Sequence, residues 1–441
     1  MVVLTLTAAV PQLRPPVAEQ SGQPLGPSGA HLAILFLSLG LLVLGAGGVR
    51  PCSLPFGVDQ FDRSTEQGRR GLNSFFNWYY SISTAATVVA MTAVVYIQDS
   101  VSWPLGFGIP TALMLLAIIL FFAGIRLYVF VPPDGSVFSG VLQALVAAFR
   151  KRKLRFLNKA AIVCEGDMKE DGRSADPWKL CSVQQIEEVK CLMRIAPIWA
   201  SGIICFVALT QQWTLAALQS MKMDRHLGPS FQIPPGSLGT ICLMAIVLFI
   251  PLYDQILVPM ATSITGVEGG ITLLQRQGAG MAIAIMSMVV AGLVEKKRRD
   301  SALAHGGADG TSPLSAMWLA PQLCLMGVAE AFNAVGQVEF YNRQFPEHMQ
   351  TLAGSLFHCS LAGASYLSSF LIAFVRKSTG GPGGASWLDD DINVGRVDYY
   401  YYLIAALGVG NLLYFMVCAH LYRYKGTPEL EDVCKDIKAV F

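Results

Sequence analysis

The chain has 441 residues, 53% of them hydrophobic and 14% charged, with a formal net charge of +2 and a mean hydropathy of +0.48. Water-soluble domains carry about 25% charged residues, so this composition belongs to a chain that meets lipid. No basic patch interleaves with aromatics, which removes support for nucleic-acid binding. Ten scattered cysteines without a CxxC pair remove it for a metal site or cofactor.

The first apolar segment, VVLTLTAAV (2–10), is too short to cross a bilayer, which takes about 20 residues as helix. With no Lys or Arg before Arg14 it lacks the charged start of a signal peptide, and it reads as the outer end of a helix. Nine longer runs follow, at 31–49, 75–97, 105–125, 195–218, 238–253, 278–294, 314–336, 351–375 and 400–419. Lipid offers the backbone no hydrogen bonds, so each run is read as a helix. A soluble core has no need of nine such runs in succession.

The longest polar stretch, 132–194, holds Arg150, Lys151, Arg152, Lys153, Arg155 and Lys159, and the positive-inside rule makes it cytoplasmic. Its opening, VLQALVAAFRKRKLRF (141–156), reads equally as an interfacial helix or a solvated basic linker. Counting spans from this loop puts 295–313 outside, against the rule, since it carries Lys296, Lys297, Arg298 and Arg299. The expected organisation is therefore all-α and membrane-embedded. An incomplete N-terminal bundle covers 1–131, a central loop 132–194, a six-helix bundle 195–422 and a cytoplasmic tail 423–441. A six-plus-six repeat would be complete if two helices and part of a third preceded residue 1.

Motifs make the reading more specific. GAGGVRPCSLPFGVDQFD (45–62), FFNWYYSISTAATVV (75–89), VQQIEEVKCLMRIAPIWASGI (183–203), FQIPPGSL (231–238), PLYDQILVP (251–259), LLQRQGAGM (273–281), GVAEAFNAVGQVEFY (327–341) and DDDINVGRVDYYYYL (389–403) stand in this order. Together they resemble the proton-dependent oligopeptide transporter family, in its plant nitrate/peptide branch, a division of the major facilitator superfamily. The resemblance implies a two-bundle fold with about nine full transmembrane helices plus part of one. It further implies proton-coupled movement of a small solute by alternating access across the plasma or vacuolar membrane. Its partners would be protons, a small-molecule or anion substrate and the bilayer, with oligomer formation left open. The glutamate-rich motif of the family's first helix has no counterpart here, so a truncated, non-transporting or regulatory membrane protein stands as the alternative. An enzyme finds no HExxH and no GxSxG.

Charge inside a bilayer is costly and so marks function. Arg50 ends the first complete span, and Glu330 is the only charge in 314–336. The resemblance implies that both face the cavity and that protonation of the acid releases their pair. Gln211, Gln212, Trp213 and Thr214 in TQQWT are expected near substrate, or else as contacts between helices. Where the family's dual-affinity nitrate transporter has a histidine, this chain has Leu209; where peptide transporters carry Asn-x-Gly, it has Thr84 and Ala86. The first departure weakens a simple nitrate-binding reading and the second a peptide. Apolar surroundings at Leu209, with Gln211, Gln212 and Trp213 nearby, lean toward a larger organic or nitrate-like anion over a peptide. His358, the one histidine well inside a span, is a candidate proton relay or a satisfied interhelical group. Gly40, Gly45, Gly47, Gly48, Gly354 and Gly363 are expected at close helix contacts.

Overall fold

A backbone in lipid must satisfy its own hydrogen bonds, and the computed structural model is accordingly helical along the apolar runs. The structure describes residues 1–14, 27–62, 65–130, 143, 146, 183–229, 231–266, 270–305, 310–345, 350–380 and 386–422. Most of the basic segment 141–156 and the tail 423–441 lie outside the described residues. Two compact units are present: 1–133 with 225–243, and 134–224 with 244–441.

In the first unit, α1 (Val2–Ala9) packs on α4 (Trp103–Ala123). There the Thr5 and Thr111 hydroxyls meet at 2.9 Å, so residues 2–10 form the short helix their pattern predicts. Helix α2 (Gly29–Val58) presents Phe36, Leu37, Val43 and Leu44 outward, as a lipid-facing helix does. Its Gly40, Gly45, Gly47 and Gly48 have open space around them and make no close contact. Helix α3 (Glu66–Val89) opens on Thr65, whose side chain accepts from the Gly68 N–H and so satisfies one of the orphan donors of the first turn. The helix continues through π turns at Ala90–Val94 and Ile97–Val101. The Tyr79 hydroxyl meets that of Ser53 on α2 at 2.9 Å.

The second unit begins with α5 (Val183–Met221), which starts inside the segment expected to be loop. Helix α6 (Gly239–Leu252) passes Pro251 by widening into a π turn at Tyr253–Leu257. It resumes as α7 (Val258–Thr265) and stops at Gly266, whose φ of 68° needs no Cβ penalty. Helices α8 (Leu273–His305), α9 (Ala320–Gln344), α10 (Gln350–Thr379) and α11 (Val397–Leu421) complete it. Helices α9 and α11 pack along α8, and α10 and α11 along α5. Two short strands, Met223–Asp224 and Ser312–Ser315, pair in parallel at one end, so the run predicted from 314 becomes helix only at Ala320.

Among the described residues seven helices are long and apolar enough to span a membrane. Helices α3 and α9 are helical but fall outside that set; in α9 the cause is Gln322, Glu330, Asn333, Gln337 and Glu339 along its length. Helix α8 corrects the expected 295–313 loop, because it runs on to His305. Three of its four cations have partners there. Arg298 is buried against Glu295, Arg299 donates to the Gly395 carbonyl at 2.9 Å, and the Lys297 ammonium lies 3.6 Å from the Trp318 ring centroid.

Candidate functional site

The second unit carries three polar groupings along its helices. At the end where α8 and α9 join the chain segments 266–273 and 345–350, Glu339 accepts from Arg343 at 2.6 Å and lies 3.5 Å from Arg276. The Arg276 guanidinium also stands 4.5 Å from the Tyr253 ring centroid. Beneath this end lies an apolar core of Ile195, Ile198, Leu274, Phe340, Tyr341 and Phe415. The approach of α8 to α9 depends on Gly280, where a Cβ would press on the Asn333 amide and stand 2.9 Å from the Phe332 Cβ.

Mid-bundle, α5 carries the TQQWT residues, and the structure separates them. Gln211 is fully buried and its amide donates to the Ser368 hydroxyl and carbonyl of α10, which makes it an interhelical contact. Gln212 is 1% exposed, yet neither Oε1 nor Nε2 has a partner among the described residues. Trp213 is half-buried. Thr214 is exposed and returns its hydroxyl to the Thr210 carbonyl of its own helix at 3.0 Å. Leu209 is buried. A buried amide atom without a partner costs about 1–3 kcal/mol. Gln212 leaves both atoms, and Gln211 its Oε1, without one among the described residues, so Gln212 has the greater need of a further hydrogen-bonding group.

Glu330 lies half-buried on α9, one turn before the buried Asn333, whose Nδ2 donates to the Ala329 carbonyl at 3.0 Å. Arg50 is exposed on α2 in the first unit. His358 is exposed on α10, with Nδ1 2.8 Å from the Gly354 carbonyl of its own helix. That bond gives Nδ1 the proton and ties the ring to its own turn. Of the glycines expected at contacts, Gly363 lies where an added Cβ would stand 3.2 Å from the Ile203 side chain, whereas Gly354 stands in open space. Tight interhelical positions in this unit include Gly202 against Gln337, Gly280, Gly292 against Tyr402 and Gly408 against Ile285.

The third grouping was not predicted. Glu295 and Arg298, both 0% exposed, form a two-pronged pair at 2.8 Å on each side. Gln219 of α5 donates to Glu295 at 2.7 Å. The signal was available as a Glu–Arg spacing of three, which shares a helix face, but it is visible only once 295–298 is known to be helical.

An α-helical bundle with a buried polar interior, a half-buried carboxylate and a partnerless amide suits a solute pathway through lipid. Comparison with known proteins decides the family. The model of the POT family (PTR2) matches residues 1–388. The chain belongs to the POT family. It is 51% identical to Protein NRT1/PTR FAMILY 2.13 of Arabidopsis thaliana over 99% of this chain and 76% of that protein. It is 46% identical to Protein NRT1/PTR FAMILY 2.12 of the same plant, over 98% and 79%. Among solved structures, that of an auto-inhibited POT family peptide transporter matches with a TM-score of 0.63 and 20% identity, covering 90% of this chain and 79% of that one. The POT family transporter PepTSo matches with 0.65 and 18%, covering 88% and 79%. At such identities these two structures speak to the fold, which is that of POT transporters. The chain is thus a multi-pass integral membrane protein and a POT family transporter, as its motifs imply.

Proposed function

We propose that this POT family chain couples proton entry to the movement of a small anion, inorganic or organic, by alternating access. The observation that carries the reading is Gln212: a buried, uncharged amide on a spanning helix, with both polar atoms unpartnered among the described residues. An amide N–H can donate to an anion's oxygen without bringing a buried counter-charge. The half-buried Trp213 indole beside it adds a second donor on the same helix. Thr84 and Ala86 in place of the Asn-x-Gly that the resemblance implies for peptide transporters favour an anion over a peptide.

Proton coupling is assigned to Glu330, with Arg50 as the residue that its charge state controls. A carboxylate in a low-dielectric interior requires a proton or a cation, and the family resemblance supplies the basic position. His358 is given no part in the relay, since its ring is tied to its own helix at Gly354.

Uptake of nitrate into proteoliposomes, with the outside acidic, tests the proposal. Alanyl-alanine serves as the peptide comparison. Nitrate uptake that rises with the gradient, and that Glu330→Gln uncouples from it, is the expected result. Uptake of the dipeptide in preference to nitrate would overturn the substrate class. Gradient-driven uptake unchanged in both Glu330→Gln and Arg50→Ala would overturn the coupling assignment.

A further inference from the structure

We infer that the buried Glu295–Arg298 pair on α8 holds the site-bearing helices α5 and α9 in register, and that Gln219 is the positioning residue through which it does so. The inference rests on the reading that Gln212 and Glu330 serve transport.

The pair is complete in itself. Glu295 accepts from Arg298 Nε and Nη2, each at 2.8 Å. Arg298 Nη1 donates to Asn393 Oδ1 at 2.7 Å, and Asn393 in turn donates to the Gly310 carbonyl at 2.7 Å. The remaining acceptor capacity of Glu295 goes to Gln219 Nε2 at 2.7 Å. Gln219 then uses its own oxygen twice, taking Gln322 Nε2 of α9 at 3.2 Å and the Tyr401 hydroxyl of α11 at 3.0 Å. One fully buried glutamine therefore joins α5, α9 and α11 to a fixed charge on α8.

Position along the helices links this end to the site. Gln219 lies seven residues after Gln212, about two turns on nearly the same helix face. Gln322 lies about two turns before Glu330. An amide two turns away that is held by a buried charge fixes both the rotation and the height of the helix that bears it. A slip of α5 or α9 would break hydrogen bonds to a desolvated carboxylate.

Energetics favour a positioning role over simple stabilisation. Buried ion pairs are offset by desolvation, and apolar replacements are often neutral or better. What such a pair supplies is a unique geometry, because a misplaced helix leaves a buried charge short of a donor.

Gln219→Leu and Gln322→Leu test the inference in the full chain, because both leave the Glu295–Arg298 pair intact and so leave no charge unpaired. Amide hydrogen exchange is read in detergent, and the initial rate of nitrate uptake in proteoliposomes. Gln219→Leu is expected to speed exchange about tenfold in both 208–221 and 320–330 while leaving 340–345 unchanged. Gln322→Leu is expected to do so in 320–330 alone. For nitrate, the KM should rise severalfold, with the maximal rate per folded protein held within about twofold. Exchange unchanged in 208–221 and 320–330, or raised evenly through the whole unit in both variants, would overturn the positioning role. If Gln219→Leu fails to fold, Gln322→Leu decides: faster exchange in 320–330 with 340–345 unchanged supports the role, and no change in 320–330 overturns it. Absence of nitrate uptake by the unmodified chain would count against the transport reading, whereas the exchange pattern judges the register role independently.

Discussion

Replacing Gln212 by leucine should make the protein more stable and less active. The side chain is 1% exposed and both amide atoms lack partners among the described residues. Leaving a buried donor or acceptor unsatisfied costs about 1–3 kcal/mol, so the two atoms together weigh against folding by about 2 kcal/mol or more. Leucine matches glutamine in size as far as the branch and has nothing to satisfy. Gln212→Leu should therefore raise the thermal midpoint in detergent by the equivalent of about 2 kcal/mol. The same change should lower nitrate uptake about tenfold, one lost hydrogen bond to an ionised ligand being sufficient. Midpoints followed by intrinsic tryptophan fluorescence, and uptake normalised to folded protein, measure the two effects. A loss of stability would show that the amide is satisfied in the folded protein. A gain of stability with uptake intact would show that Gln212 does not touch substrate.

Three further outcomes follow from the same geometry. Gln211→Leu breaks the bonds from Nε2 to Ser368 on α10 but also removes an Oε1 with no partner among the described residues. It should therefore raise stability by less than Gln212→Leu does, with nitrate uptake per folded molecule unchanged; thermal unfolding beside the Gln212 variant reads the contrast. Gly280→Ala forces a methyl against Asn333 and Phe332 and should cost about 1–3 kcal/mol through overpacking at the α8–α9 crossing, measured the same way. Arg276→Ala removes both the Glu339 contact at 3.5 Å and the Tyr253 ring contact. With Glu339 still one-third exposed and paired with Arg343, the loss should stay near 1 kcal/mol and shrink in high salt.

Much of the helix plan was legible in advance because lipid imposes it. Residues 2–9, the 31–49 run and, apart from 314–319, most of the spans in the second half are helices where their apolar runs lie. Limits failed where hydropathy and helix parted company. The α8 boundary was placed at 294 because four cations follow, yet burial and specific partners carry the helix to His305. The α5 start was placed at 195 because 183–194 is polar, although that stretch is helical from Val183.

The candidate residues divide on the same line. Composition and the cost of charge in a bilayer were enough to single out Glu330 and the glutamines of TQQWT, since rarity alone marks them. How much of each glutamine a neighbouring helix satisfies depends on rotation about the helix axis. A local pattern does not contain that rotation; the packing of α10 on α5 gives Gln211 Nε2 its partners and leaves Gln211 Oε1 and both Gln212 atoms without one among the described residues. The same holds for the network at Gln219, whose partners lie 76, 103 and 182 residues away in the chain. Residue chemistry, read alone, established that the chain threads lipid as helices with a few costly polar groups inside. Only the folded arrangement decided which of those groups answer one another, because hydrogen bonds act over about 3 Å and chain distance says nothing about that separation.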